Sequence, residues 1–141
     1  MRLIIDTNRL VAALIKSSVT REIILSDKFE LFSPDYIVTE IDKNREYLIK
    51  KARLNNTEFE EILVTLLDHI KLIPFKEFKN NYLKAFKIMK VSDPDDTPFL
   101  ALGISLNADW VWIEDKDFKV QRILKVYSTR NLMEMIEGLY F

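Results

Sequence analysis

The chain has 141 residues, 48% of them hydrophobic, and a net charge of −1 from 21 basic and 22 acidic side chains. The absence of cysteine excludes disulfides, thiolate zinc sites and a cysteine nucleophile, and the single histidine, His69, argues against an imidazole metal site or a Ser-His-Asp triad. With only Gly103 and Gly138 as glycines, a Gly-rich phosphate cradle cannot form, and the balanced charge excludes simple electrostatic capture of nucleic acid.

Length and apolar content fit one compact domain spanning 1–141. No stretch reaches the roughly 20 apolar residues of a membrane span. The apolar start is shorter than the roughly 7–15 residues of a signal-peptide core. A cytoplasmic protein without membrane contact is expected.

Leu3-Ile4-Ile5 is an unbroken apolar run, as in a strand covered on both faces. Asp6 and Thr7 end it and can cap a helix to about Lys16, with a second helix from Thr20 to Ser26. Glu30–Phe32 reads as a short strand. Ser33-Pro34 reads as a helix start, with the helix running to Arg53. Asn56 and Thr57 open the next helix, with Thr57 and Glu60 as a capping box. Its Phe59, Ile62, Leu63, Leu66 and Leu67 keep helical spacing, and His69 reads as a partner at its C-terminus. Lys71–Pro74 suggests an edge strand, since proline cannot donate to a ladder. A helix over Glu77–Met89 follows, then a cap-plus-proline start at Ser92-Asp93-Pro94-Asp95-Asp96 with a helix to Leu106. Trp110–Ile113 is another unbroken apolar run ending at Glu114-Asp115. A short helix to Leu124, a strand at Lys125–Tyr127 and a helix from Ser128 complete the order. Trp110 and Trp112 read as core, Trp112 towards the site rim, and Met133, Met135 and Ile136 as core or interface. Alternating strands and helices predict an α/β fold with a mainly parallel sheet.

Four acids stand where apolar runs stop or turn: Asp6, Glu40, Asp96 and Asp115. In open parallel sheets the functional crevice lies beyond the carboxyl ends of the strands, where Asp6 and Asp115 fall. Asp96 lies in the first turn of a helix, which favours a carboxylate. At about 100° per residue, Glu40 projects from the apolar arc of its helix beside Ile37 and Ile41, where an unpaired acid is costly. Crowded carboxylates need a cation, and hard oxygen ligands suit Mg²⁺ or Mn²⁺. Taken singly, each acid also has a structural reading. Asp6, Asp96 and Asp115 with Asp117 can serve as caps, and Glu40 can form a buried ion pair. The basic segment Lys43–Arg53 is either a solvated face or a phosphate-contacting flank.

Four segments resemble the PIN domain, a family of metal-dependent ribonucleases: Ile4-Ile5-Asp6-Thr7-Asn8; Val38-Thr39-Glu40-Ile41; Asp93-Pro94-Asp95-Asp96-Thr97-Pro98-Phe99; and Trp112-Ile113-Glu114-Asp115-Lys116-Asp117-Phe118. The resemblance implies a three-layer α/β/α sandwich with a sheet of about five parallel strands. It implies Asp6, Glu40, Asp96 and Asp115 as metal-binding acids, Asp117 as an auxiliary acid, Asn8 as a residue that orients the site from behind those acids, and Asp93 as a helix cap. RNA phosphodiester hydrolysis with Mg²⁺ or Mn²⁺, an antitoxin protein partner and a homodimer follow as family expectations. Ile113 departs from the family's usual Ser or Thr, Glu114 is an additional acid, and Gly103 replaces a common Ala. Three rivals stand beside this reading. One is a catalytically inactive PIN-like module that binds RNA or protein. Another is a phosphotransferase using Asp6 as nucleophile, and the third is a domain whose acids only cap helices.

Overall fold

The protein is described from a computed structural model covering residues 1–16 and 18–138. Its central strand, β1 (Arg2–Ile5), has Leu3, Ile4 and Ile5 completely buried, so both faces of this strand are covered. Helices α1 (Thr7–Ile15) and α2 (Ser18–Leu25) lead to β2 (Glu30–Pro34), which pairs in parallel with β1. Helices α3 (Tyr36–Lys43), α4 (Arg45–Ala52) and α5 (Asn56–Leu67) lead to β3 (Ile70–Ile73), parallel to β2 at the sheet edge. The chain then crosses the sheet through α6 (Tyr82–Met89) and α7 (Thr97–Leu106). It adds β4 (Trp110–Trp112) on the other side of β1, then β5 (Lys125–Tyr127), and ends in α8 (Thr129–Ile136).

The sheet order is therefore β3-β2-β1-β4-β5, with every pairing parallel. Helices α1, α2, α4 and α5 pack on one another, with α8 against α2, while α6 packs on α7 and α7 lies on β1 and β2. This is the three-layer α/β/α arrangement. Gly103 allows the close approach in the second helical layer, since a Cβ there would collide with the Leu124 side chain. None of the helices among the described residues is long and apolar enough to cross a membrane.

Several boundaries differ from the sequence expectation, each for a local reason. Ser33-Pro34 ends β2 and does not start a helix. The buried Ser33 hydroxyl donates to the Ile5 carbonyl at 2.9 Å and binds the strand end to β1. The expected single helix to Arg53 is two helices. The Asn44 side chain donates to the Glu40 carbonyl at 2.9 Å and competes with the helical backbone at the break. The capping box of α5 is Asn55 with Glu58, not Thr57 with Glu60: Asn55 is extended and accepts from the Glu58 N–H at 2.8 Å, while Glu58 accepts from the Asn55 N–H at 3.0 Å. Short 3₁₀ turns occupy 75–77 and 79–81, so α6 begins later than Glu77. A 3₁₀ turn over Pro94–Asp96 precedes α7, and the segment after Asp115 is 3₁₀ over Lys116–Val120.

Topology fixes where a site can form. Connections leave β1 towards β2 on one side and reach β4 from the other, so the switch point lies between β1 and β4. Ile5 is in register with Trp112. Asp6 follows Ile5 directly, and Asp115 lies just past the end of β4, so both carboxylates occupy the crevice that this topology opens.

Candidate metal centre

Three loops carry the acids, and each holds its carboxylate by the same device. Asp6 caps α1, and its Oδ1 accepts from the Arg9 N–H at 3.0 Å. Asp93 caps the 3₁₀ turn before α7, accepting from the Asp95 N–H at 3.0 Å. Asp115 caps the 3₁₀ turn after β4, accepting from the Asp117 N–H at 2.9 Å. One oxygen of each carboxylate is thus oriented by backbone, and the second oxygen is left for other chemistry. The Ser92 hydroxyl donates to the Asp117 carbonyl at 2.9 Å and ties the Asp93 loop to the Asp115 loop.

The result is a tight group. Asp93, Asp96 and Asp115 each offer an oxygen within 4.8 Å of the others. Asp96 is buried, and its Oδ2 meets no hydrogen-bond donor within the protein. Burial pushes the Asp96 carboxyl up to about 8, reinforced by the neighbouring Asp115 carboxyl and by the charges of Asp93 and Asp6. Burial likewise pushes Asp6 up to about 6. The N–H and guanidinium of Arg9 oppose the shift, and Asp115 adds to it. Held without a cation, the cluster retains protons that isolated carboxyls would release.

Asp6 and Glu40 lie outside the tightest group, yet both act on its surroundings. Asp6 is buried, and its charge raises Asp96. Glu40 is half-buried on α3, where Ile37 and Ile41 are buried, and it lines a cavity of about 600 Å³ with Thr7, Asn8, Tyr36 and Asp95. The Tyr36 phenol is raised above its ordinary range by burial and then by Glu40, Asp96 and Asp6, so it stands amid three of the four acids. Asn8 is exposed on the first turn of α1 and faces the same cavity, and Asp117 is exposed. Asp93 is both the cap the sequence suggests and a member of the acidic group. The cap signature identifies the first role and is silent on the second. Tyr36, one helical turn before Glu40, carries no sequence signal of its own beyond that spacing.

Two departures from the family pattern have structural explanations. Glu114 does not join the cluster: its Oε1 accepts from the Thr129 N–H at 2.7 Å and holds the start of α8. Ile113 is buried, continuing the apolar strand. Trp112 is fully buried and its Nε1 donates to the Thr129 hydroxyl at 3.0 Å, so it braces β4 against α8 and does not reach the rim.

A parallel α/β/α fold with carboxylates gathered at its switch point defines a class of acidic, cation-attracting sites. The chain belongs to the PIN domain family, whose profile matches residues 4–136. A similar solved fold is that in the crystal structure of VapBC2 from Rickettsia felis bound to a DNA fragment from its promoter. The two chains share 16% sequence identity with a TM-score of 0.69, over 91% of this chain and 98% of that one. At that identity the likeness concerns the fold. No curated protein matches the chain.

Proposed function

We propose that this protein is a metal-dependent ribonuclease that hydrolyses RNA phosphodiester bonds, and that it serves as the toxin of a toxin–antitoxin pair, working as a homodimer in the cytoplasm. Membership of the PIN domain family supports the reaction class. The fold shared with the toxin–antitoxin complex VapBC2 supports the partner. The observation that carries the reading is the buried Asp96 carboxyl, whose Oδ2 has no hydrogen-bond partner and which is grouped with Asp93 and Asp115. A protein gains nothing structurally from such an atom, since an unpaired buried acceptor costs about 1–3 kcal/mol. A divalent cation would satisfy it.

The donor set fits Mg²⁺ or Mn²⁺, because it is made of carboxylate oxygen with no sulfur or imidazole. Asp96, Asp115, Asp93 and Asp6 would hold the ion, with Glu40 on the facing wall and Asp117 as an auxiliary acid at the rim. When bound, the cation supplies Lewis-acid polarisation and acidifies a coordinated water. The protein's own residues do the rest. The N–H groups of Arg9, Asp95 and Asp117 fix three carboxylates before any ligand arrives. Burial of Asp6 and Asp96 excludes water behind the cluster. Asn8 and Glu40 line a cavity that reaches Pro94 and Asp95 on the loop carrying Asp93 and Asp96. Without a cation, the negative charge of the cluster would repel a phosphodiester.

The test is cleavage of a mixture of single-stranded and structured RNA in Mg²⁺, Mn²⁺ or EDTA, comparing wild type with Asp6→Asn and Asp96→Asn. Metal-dependent cleavage lost in both variants is expected. Equal activity of wild type and Asp96→Asn would reject the assignment.

A further inference from the structure

The sheet by itself does not set how far apart the Asp6 and Asp115 carboxylates stand. The β1–β4 ladder ends where Ile5 meets Trp112, and Asp115 comes three residues later. The Ser92 bond ties the Asp115 loop to the Asp93 loop and does not reach Asp6. One residue of α8 touches both sides. Thr129, half-buried at the first position of the helix, donates its N–H to Glu114 Oε1 at 2.7 Å, next to Asp115. Its hydroxyl oxygen accepts from Trp112 Nε1 at 3.0 Å, at the end of β4. The same oxygen accepts from Arg9 Nη1 at 3.4 Å, the longest of the three contacts. Arg9 in turn gives its backbone N–H to Asp6 Oδ1 at 3.0 Å, and its guanidinium charge acts on that carboxyl. Its Nε is buried without a hydrogen-bond partner, so hydrogen bonding alone does not account for the place of this guanidinium.

Thr129 can serve as a fixed point because α8 begins rigidly. The Ser128 hydroxyl accepts from the Asn131 N–H at 3.1 Å, and Asn131 Oδ1 accepts from the Ser128 N–H at 2.9 Å, which closes the first turn reciprocally. Leu132, three residues on from Thr129, is completely buried. Glu114 adds a charge-assisted bond at the helix N-terminus, where the dipole favours a carboxylate. We infer that Thr129 is a positioning residue for the acidic centre: it clamps the loops of Asp6 and Asp115 at the spacing a shared cation requires. The inference deepens the metal-dependent reading and rests on it. Thr129 acts through Arg9, Trp112 and Glu114 and touches neither cation nor substrate. Groups that hold metal ligands in place commonly change metal affinity by about 10–100-fold when replaced. Valine keeps the shape of the side chain and the backbone N–H but removes the hydroxyl. It therefore breaks the joint to Trp112 and Arg9 while Glu114 stays engaged. Serine keeps the hydroxyl.

Position and metal binding are read separately, at a temperature where melting shows every variant folded. In the metal-free protein, NMR hydrogen exchange follows the Arg9 and Asp117 amides, the donors that hold Asp6 and Asp115. Calorimetric titration with Mn²⁺ then gives the affinity. Wild type is compared with Thr129→Val, Thr129→Ser and Asn55→Ala, the last a control that weakens the α5 cap. In Thr129→Val the two amides are expected to exchange about tenfold faster and Mn²⁺ to bind about tenfold more weakly. Thr129→Ser and Asn55→Ala should match wild type in both. Wild-type exchange in Thr129→Val overturns the clamp, as do equal losses in Asn55→Ala or a serine variant that behaves as valine does. Where wild type binds Mn²⁺, an unchanged affinity in Thr129→Val overturns it as well. Faster exchange in the valine variant, recovered in serine, in a protein that binds no Mn²⁺ at all upholds the clamp and rejects the metal-dependent reading instead.

Discussion

Replacing Asp96 with Asn should stabilise the metal-free protein and abolish its stabilisation by metal. Asp96 carries the most perturbed carboxyl of the cluster, pushed up to about 8 from an ordinary 3.8, with Asp6 at about 6. Between 3.8 and these folded values, the folded protein binds more protons than the unfolded chain, so its stability falls as pH rises through that window. At pH 7 the cost of keeping the Asp96 proton is at most about 4 kcal/mol, at about 1.36 kcal/mol per pH unit. Coupling to Asp115 and residual structure in the unfolded chain reduce that figure. Asparagine cannot ionise and can donate to Asp115, so the variant should gain about 1–3 kcal/mol at pH 7, and little near pH 4. Mn²⁺ at 100 times its dissociation constant should stabilise wild type by about 2.7 kcal/mol and the variant by far less. Urea denaturation from pH 4 to 8.5, with and without Mn²⁺, measures both effects. A variant with the pH profile and Mn²⁺ response of wild type would show that Asp96 neither holds a proton nor binds metal, and the reasoning would fail.

Other consequences are open to simple measurements. Thr129→Val should destabilise the protein by about 1–3 kcal/mol in urea, because the buried Trp112 Nε1 loses its acceptor. Asn55→Ala removes one half of the α5 capping box and should cost about 1 kcal/mol, seen as a lower denaturation midpoint with an unchanged slope. Glu40→Gln should lower RNA cleavage by a factor of at least about ten while leaving thermal stability nearly unchanged, since Glu40 is half-buried at the cavity wall and forms no ion pair among the described residues.

Opposing structural and functional readings of an acid proved too sharp a division. Asp93 and Asp115 were each open to a capping interpretation, and both do cap. They also belong to the acidic group, because a carboxylate has two oxygens and the backbone occupies one. A cap at the carboxyl end of a parallel strand is a way of aiming a carboxylate as well as of ending a helix. The cap evidence for Asp93 therefore did not argue against its nearness to Asp96.

Periodicity alone determined much of this protein. The unbroken runs Leu3–Ile5 and Trp110–Ile113 announced strands buried on both faces, and alternation with helices announced a parallel sheet, because the crossover helices that join parallel strands cover its faces. Cap and proline signals located the starts of α1 and α5 and the turn before α7, and failed at Ser33-Pro34, where the Ser33 hydroxyl bonds to β1. Strand order, the tight grouping of Asp93, Asp96 and Asp115, and the orphaned oxygen of Asp96 could be decided only in three dimensions. Local propensity acts over a few residues, whereas these features depend on which distant loops the crossover from β3 to β4 brings together and on how much water the packed helices exclude.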